Sequence, residues 1–123
     1  SVLIVEDEKT LAELIKVRLE ANGHQAEMTF NGLDALDYIN AHIVDLIIVD
    51  LMLPGGLDGY QFIKRILNKK MRTPDYITPK ILVLTARSEQ SYRDMLKDIG
   101  ITDYITKPFD MDEFLKKVNE MLL

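Results

Sequence analysis

The chain has 123 residues, 47% hydrophobic and 28% charged, an ordinary composition for one globular domain able to bury about two-thirds of its unfolded surface. Its 15 basic and 20 acidic residues leave a net charge of −5, which argues against this domain gripping nucleic acid, because phosphate contacts need a basic surface. The absence of cysteine excludes disulfides, thiol catalysis and thiolate metal sites and is compatible with a reducing cytoplasm; no apolar run approaches the roughly 18 residues of a membrane span.

In chain order, the first element is the apolar run Val2–Val5, which lacks the basic flank of a signal peptide and has the length of a buried strand. Leu11, Leu14, Ile15 and Leu19 then recur at helical spacing. His24–Thr29, where Ala26 and Met28 alternate with polar residues, reads as an edge strand, followed by a less periodic helix over Gly32–Asn40. Leu46–Val49 is a second buried strand, and Gly59–Asn68 a third helix. Asn68–Lys80, with Pro74 and Pro79, reads as a long loop into a strand over Ile81–Leu84. Tyr92, Met95, Leu96 and Ile99 form a helical face before a mixed strand at Ile101–Thr106. The last helix carries Met111, Phe114, Leu115, Val118, Met121 and Leu122 on one stripe; Asp110 can cap it, and Glu113 stands where a capping-box acid belongs.

Five alternations of strand and helix predict an α/β domain over residues 1–123: a doubly wound five-stranded parallel sheet, flavodoxin-like, with five helices. The continuous apolar runs belong at its centre and the mixed ones at its edges, which the order 2-1-3-4-5 satisfies. Ligands in such sheets sit beyond the carboxyl ends of the strands, where strand order reverses. There the first strand ends in Glu6-Asp7-Glu8 and the third in Asp50. Converging carboxylates repel unless a cation joins them, and Mg²⁺ is the natural partner. The fourth strand adds the Thr85 hydroxyl and the fifth leads into Lys107-Pro108. Acids, a metal, a hydroxyl and an ammonium are the parts needed to hold a phosphoryl group in line with an attacking carboxylate. Asp7 and Glu8 can also cap the first helix, while His24 and His42 have no motif around them and read as surface or edge residues.

Leu3-Ile4-Val5-Glu6-Asp7-Glu8, Val49-Asp50-Leu51-Met52-Leu53-Pro54, Leu84-Thr85-Ala86-Arg87 and Tyr104-Ile105-Thr106-Lys107-Pro108-Phe109 resemble the receiver domains of two-component response regulators, in order and across essentially the whole chain. The resemblance implies that Asp50 takes a phosphoryl group from the phosphohistidine of a sensor histidine kinase. It implies that Glu6, Asp7, Asp50 and the Met52 carbonyl hold Mg²⁺, and that Lys107 holds a phosphoryl oxygen. It further implies a cis Lys107–Pro108 bond, room for the phosphate beside Ala86, and a switch in which Thr85 moves towards the phosphate while Tyr104 turns inward. The surface of the fourth helix, fifth strand and fifth helix would then be presented to a downstream effector domain or protein, with dimerisation allowed there. Such a domain transfers phosphate only to itself and later hydrolyses it, slowly here if the apolar Met52 cannot orient an attacking water.

Met52 and Arg87 resemble the pair in receivers of winged-helix transcription regulators. The chain departs from the family in a Pro54–Gly59 loop one residue longer than usual, and in a last helix with Lys116-Lys117-Val118-Asn119 in place of an arginine-rich dimer face. Ser1 without a preceding Met and an end at Leu123 suit a domain excised from a longer regulator. Two other functions compete: a receiver-shaped interaction module that works without phosphorylation, and a flavodoxin-like flavoprotein, whose flavin phosphate Glu6-Asp7-Glu8 would repel.

Overall fold

The three continuous apolar runs form the middle of one parallel sheet. A computed structural model describes residues 1–73, 75–86 and 89–123, residues 70–72 by their backbone alone. Pro74 and Arg87, both singled out in the sequence, lie outside the described residues. The elements are β1 (Val2–Val5), α1 (Lys9–Ala21), β2 (Ala26–Thr29), α2 (Gly32–Ala41), β3 (Leu46–Asp50), α3 (Gly59–Arg72), β4 (Lys80–Thr85), α4 (Gln90–Asp98), β5 (Tyr104–Thr106) and α5 (Met111–Met121). The strand order is 2-1-3-4-5 and every pairing is parallel.

The apolar runs are continuous because both sheet faces are covered. Leu3, Val5, Ile47, Val49, Ile81 and Val83 point to one face, against Ala35 and Ile39 of α2, Phe62, Ile63 and Ile66 of α3, and Leu96 of α4. Val2, Ile4, Leu46, Ile48, Leu82 and Leu84 point to the other, against Ala12, Ile15 and Leu19 of α1 and Phe114, Leu115 and Val118 of α5. Each such aliphatic side chain contributes about 2 kcal/mol by leaving water, so the sheet is anchored from both sides. The edge strands β2 and β5 are only partly covered.

Three expectations need correction. Asn68–Lys80 is not all loop, because α3 continues to Arg72. Lys69, Lys70, Met71 and Arg72 are good helix formers, and the helix stops at Thr73, which precedes a proline and is therefore disfavoured from the α region. Leu14 is 48% exposed; Ala12 takes its place in the buried stripe of α1. Asp7 does not cap α1: Glu8 holds that position, without a side-chain cap bond. Asp110 does cap α5, accepting from the Asp112 and Glu113 amides. A reciprocal capping box forms at α3, between Asp58 and Gln61.

The long loop before α3 is pinned by two side chains, since Leu53 and Leu57 are buried in the α2–α4 core. Leu57 lies so close to Gly32 that a Cβ there would stand 2.8 Å from the Leu57 carbonyl oxygen.

Candidate functional site

β1 and β3 are neighbours whose following helices leave on opposite faces of the sheet, so a crevice opens beyond their carboxyl ends. Glu6 follows β1, Asp50 closes β3, Thr85 closes β4, and Lys107 follows β5. Glu6, Asp50 and Thr85 are all buried, an unusual place for two carboxylates. Their hydrogen bonds account for it. The Lys107 ammonium donates to Glu6 Oε1 at 2.5 Å and to Asp50 Oδ2 at 2.9 Å. The remaining oxygens take backbone donors: the Met52 amide reaches Asp50 Oδ1 at 2.9 Å and the Glu8 amide reaches Glu6 Oε2 at 3.2 Å. Lys107 is itself held by its backbone N–H, which donates to the Thr85 carbonyl at 2.7 Å. The Lys107–Pro108 peptide is cis.

Burial pushes Glu6 up, from an ordinary 4.5 to about 7. The Lys107 and Glu8 hydrogen bonds pull it down without offsetting burial, and the nearby Asp50 charge raises it further. For Lys107, burial works to lower the pKa, but the hydrogen bonds to Glu6 and Asp50, with their charges, outweigh it and the value is raised. Lys107 therefore stays charged across the neutral range.

The folded chain holds the Glu6 proton more tightly than the unfolded chain, so this contribution is complete below pH 4.5 and is lost as pH rises through about 7. The protein is expected to be less stable at pH 8 than at pH 5 through this group. Urea denaturation at both pH values checks this; a Glu6→Gln variant with the same pH slope would contradict it.

Glu6, Asp7 and Asp50 each offer a carboxylate oxygen, and the three lie within 4.8 Å of one another. An all-oxygen set of this spread, with exposed Asp7 free to adjust, fits a small hard cation that keeps some of its waters. Met52 is exposed between the buried Leu51 and Leu53.

Two contacts were not legible in the sequence. Gly59, the first residue of α3, lies against the end of β3: its amide donates to the Leu51 carbonyl at 3.1 Å, and a Cβ on it would stand 2.2 Å from the Asp50 carbonyl oxygen. A glycine at the start of a helix was the only sequence signal. The second contact is on Tyr104, which is half-buried with the Arg93 guanidinium of α4 5.7 Å from its ring centroid. Neither histidine faces the crevice: His24 Nε2 pairs with Asn119 Oδ1 at 2.8 Å, and His42 stacks on Tyr38.

A doubly wound sheet with buried acids and a lysine at its switch point defines a class, and comparison with known proteins specifies the family. Residues 2–119 match the response regulator receiver domain, and the chain belongs to that family, the phosphorylation switches of two-component systems. It is 39% identical over 116 residues to the transcriptional regulatory protein DltR of Streptococcus agalactiae, covering 94% of this chain and 49% of that protein. It is 36% identical over 121 residues to the response regulator ArlR of Staphylococcus aureus, covering 98% and 52%. The chain thus spans about half the length of these relatives. Among solved structures it resembles the Francisella response regulator 1452 receiver domain, with a TM-score of 0.86 and 33% identity over 98% of this chain and 94% of the other. The response regulator TrrA of Thermotoga maritima, solved in complex with Mg²⁺-BeF, gives a TM-score of 0.79 and 31% identity over 98% and 97%. No helix among the described residues is long and apolar enough to cross a membrane.

Proposed function

We propose that residues 1–123 act as one receiver domain in the cytoplasm, accepting a phosphoryl group on Asp50 from the phosphohistidine of a sensor histidine kinase. The observation that carries this reading is the shared ammonium: Lys107 joins Glu6 and Asp50, the arrangement a phosphoryl acceptor needs before its substrate arrives. A carboxylate oxygen of Asp50 attacks phosphorus, the P–N bond to the donor imidazole breaks, and the imidazole leaves with the bonding pair. The Met52 amide and Lys107 hold the Asp50 carboxylate in one orientation for this attack. Lys107 then follows the new charge onto a phosphoryl oxygen as a compact cation. Glu6, Asp7, Asp50 and the Met52 carbonyl would hold Mg²⁺, which supplies charge neutralisation for the phosphoryl oxygens. The Mg²⁺-BeF complex of TrrA supports this choice of metal.

Thr85 closes β4 one residue past Leu84, the partner of Asp50 in the sheet, and its hydroxyl is the proposed donor to a second phosphoryl oxygen. Tyr104 sits two strands from Asp50 and would turn inward as Thr85 moves, giving up its contact with Arg93. The surface of α4, β5 and α5 would then be re-presented to an effector domain or protein, with dimerisation through that surface as one outcome. The transcriptional regulators among the relatives support an effector of that kind. The domain would not act on any external metabolite beyond its phosphodonor.

Self-dephosphorylation is slow in this reading, because Met52 presents an apolar side chain that cannot orient water. Met52→Asn is expected to hydrolyse its phosphate several-fold faster, measured as loss of phosphorylated mass with time; an unchanged rate would contradict the role assigned to Met52.

A further inference from the structure

The charge of α3 has one sign in a chain that is acidic overall. α3 carries Lys64, Arg65, Lys69, Lys70 and Arg72 and no acidic residue. With that helix at +5 and the whole chain at −5, the remainder carries −10. A solvated helix in an acidic protein would ordinarily interleave its cations with Asp or Glu at three- and four-residue spacing. Among the described residues, neither Lys64, Arg65 nor Lys69 is paired with a carboxylate. Asp58, the nearest acid in sequence, is committed to capping α3.

These cations are positioned. Lys64 lies over the Tyr60 ring at 5.5 Å, and Lys69 lies over Tyr76 at 4.6 Å while donating to Asn40 Oδ1 at 2.8 Å. Arg65 is exposed between two depressions that share it and Asn68. One, about 540 Å³, is completed by Leu36, Asn40, Lys69 and Thr73; the other, about 300 Å³, by Gly56, Leu57, Gln61 and Lys64. Each brings amide donors beside a guanidinium and an ammonium. That combination suits carboxylates, which a planar guanidinium binds with two parallel hydrogen bonds.

We infer that the groove between α2 and α3 docks an Asp/Glu-rich segment of a partner protein. The size of the patch favours a short peptide over a nucleic acid. A 14-residue helix is only about 21 Å long, and a duplex laid along it would continue past a surface carrying ten net negative charges. None of the residues lining the two depressions belongs to α4, β5 or α5, so an acidic partner would leave that surface free.

The test is a titration of the isotopically labelled chain with a Glu-rich octapeptide at low salt, followed by amide chemical shifts. A saturable response confined to residues 36–41 and 56–73 is expected, with little response to the matching Gln peptide. Arg65→Glu should weaken binding about tenfold or more, and Arg65→Gln by less, while Mg²⁺-dependent phosphorylation is unchanged. Shifts that do not saturate, shifts equal in Arg65→Glu, or a duplex oligonucleotide binding the same residues more tightly than the peptide would each overturn the proposal.

Discussion

Gly59→Ala is expected to destabilise the domain by about 3 kcal/mol or more, a large share of the ~5–15 kcal/mol by which such domains are stable. The cause is steric. A Cβ at this position would lie 2.2 Å from the Asp50 carbonyl oxygen, 2.7 Å from Leu51 Cα and 2.9 Å from the Leu51 carbonyl oxygen. All three are backbone atoms, so no side chain can swing away. Either the end of β3 or the start of α3 must move, and the Gly59–Leu51 hydrogen bond would stretch with it. Because the displaced backbone belongs to Asp50, phosphoryl acceptance should slow together with the loss of stability. A fall in Tm on the order of 10 °C is expected by differential scanning calorimetry. Gly56→Ala is the control, since its Cβ would meet nothing within 4 Å and its φ is not positive, and it should stay within about 0.5 kcal/mol of the parent. A Gly59→Ala variant as stable as that control would contradict the close packing of α3 on β3.

Lys107→Ala is expected to remove nearly all phosphoryl acceptance while leaving the sheet intact. Among the described residues its ammonium is the one group bonded to both buried carboxylates, and its loss leaves Glu6 and Asp50 facing each other without that cation. Breaking a buried ion pair from one side typically costs about 3–5 kcal/mol, so metal-free Lys107→Ala should be much less stable than the parent at neutral pH. Mg²⁺ should recover part of that stability, because a cation then joins the carboxylates again. It should not recover the rate, which is expected to fall by about a hundredfold or more, as when one preorganised donor to a transition state is removed. Lys107→Arg should rescue stability better than rate, since the guanidinium is a wider, planar donor on a different stem. A Lys107→Ala protein phosphorylated at the parent rate would exclude Lys107 from the chemistry.

The strand order could be read from the sequence because the sheet leaves a plain signature. Leu46–Val49 and Ile81–Leu84 are apolar at every position because alternate side chains enter different cores, whereas Ala26–Thr29 is half-polar because β2 has one neighbour. The acids were legible for the same reason, since each terminates an apolar run. What was hidden depends on spatial closeness between distant residues. Gly59 matters through its distance to Asp50, and no local pattern distinguishes it from an ordinary helix-opening glycine. The end of α3 is hidden because Pro74 signals a loop, while the four residues before Thr73 obey helix propensity. Spacing alone does not choose between the adjacent stripes that hold Leu14 and Ala12, and it is Ala12 that is buried with Ile15 and Leu19.

Asp50 is the proposed phosphoryl acceptor, and a divalent cation is required for the transfer. Incubation with acetyl phosphate, with and without Mg²⁺, followed by intact-mass measurement, tests it most directly, with Asp50→Asn alongside. A gain of one phosphoryl group is expected in the parent only when Mg²⁺ is present, and none in Asp50→Asn. A folded parent that gains no mass with Mg²⁺, or an Asp50→Asn protein that gains the same mass, would contradict it; the first result would favour a receiver-shaped module that works without phosphorylation.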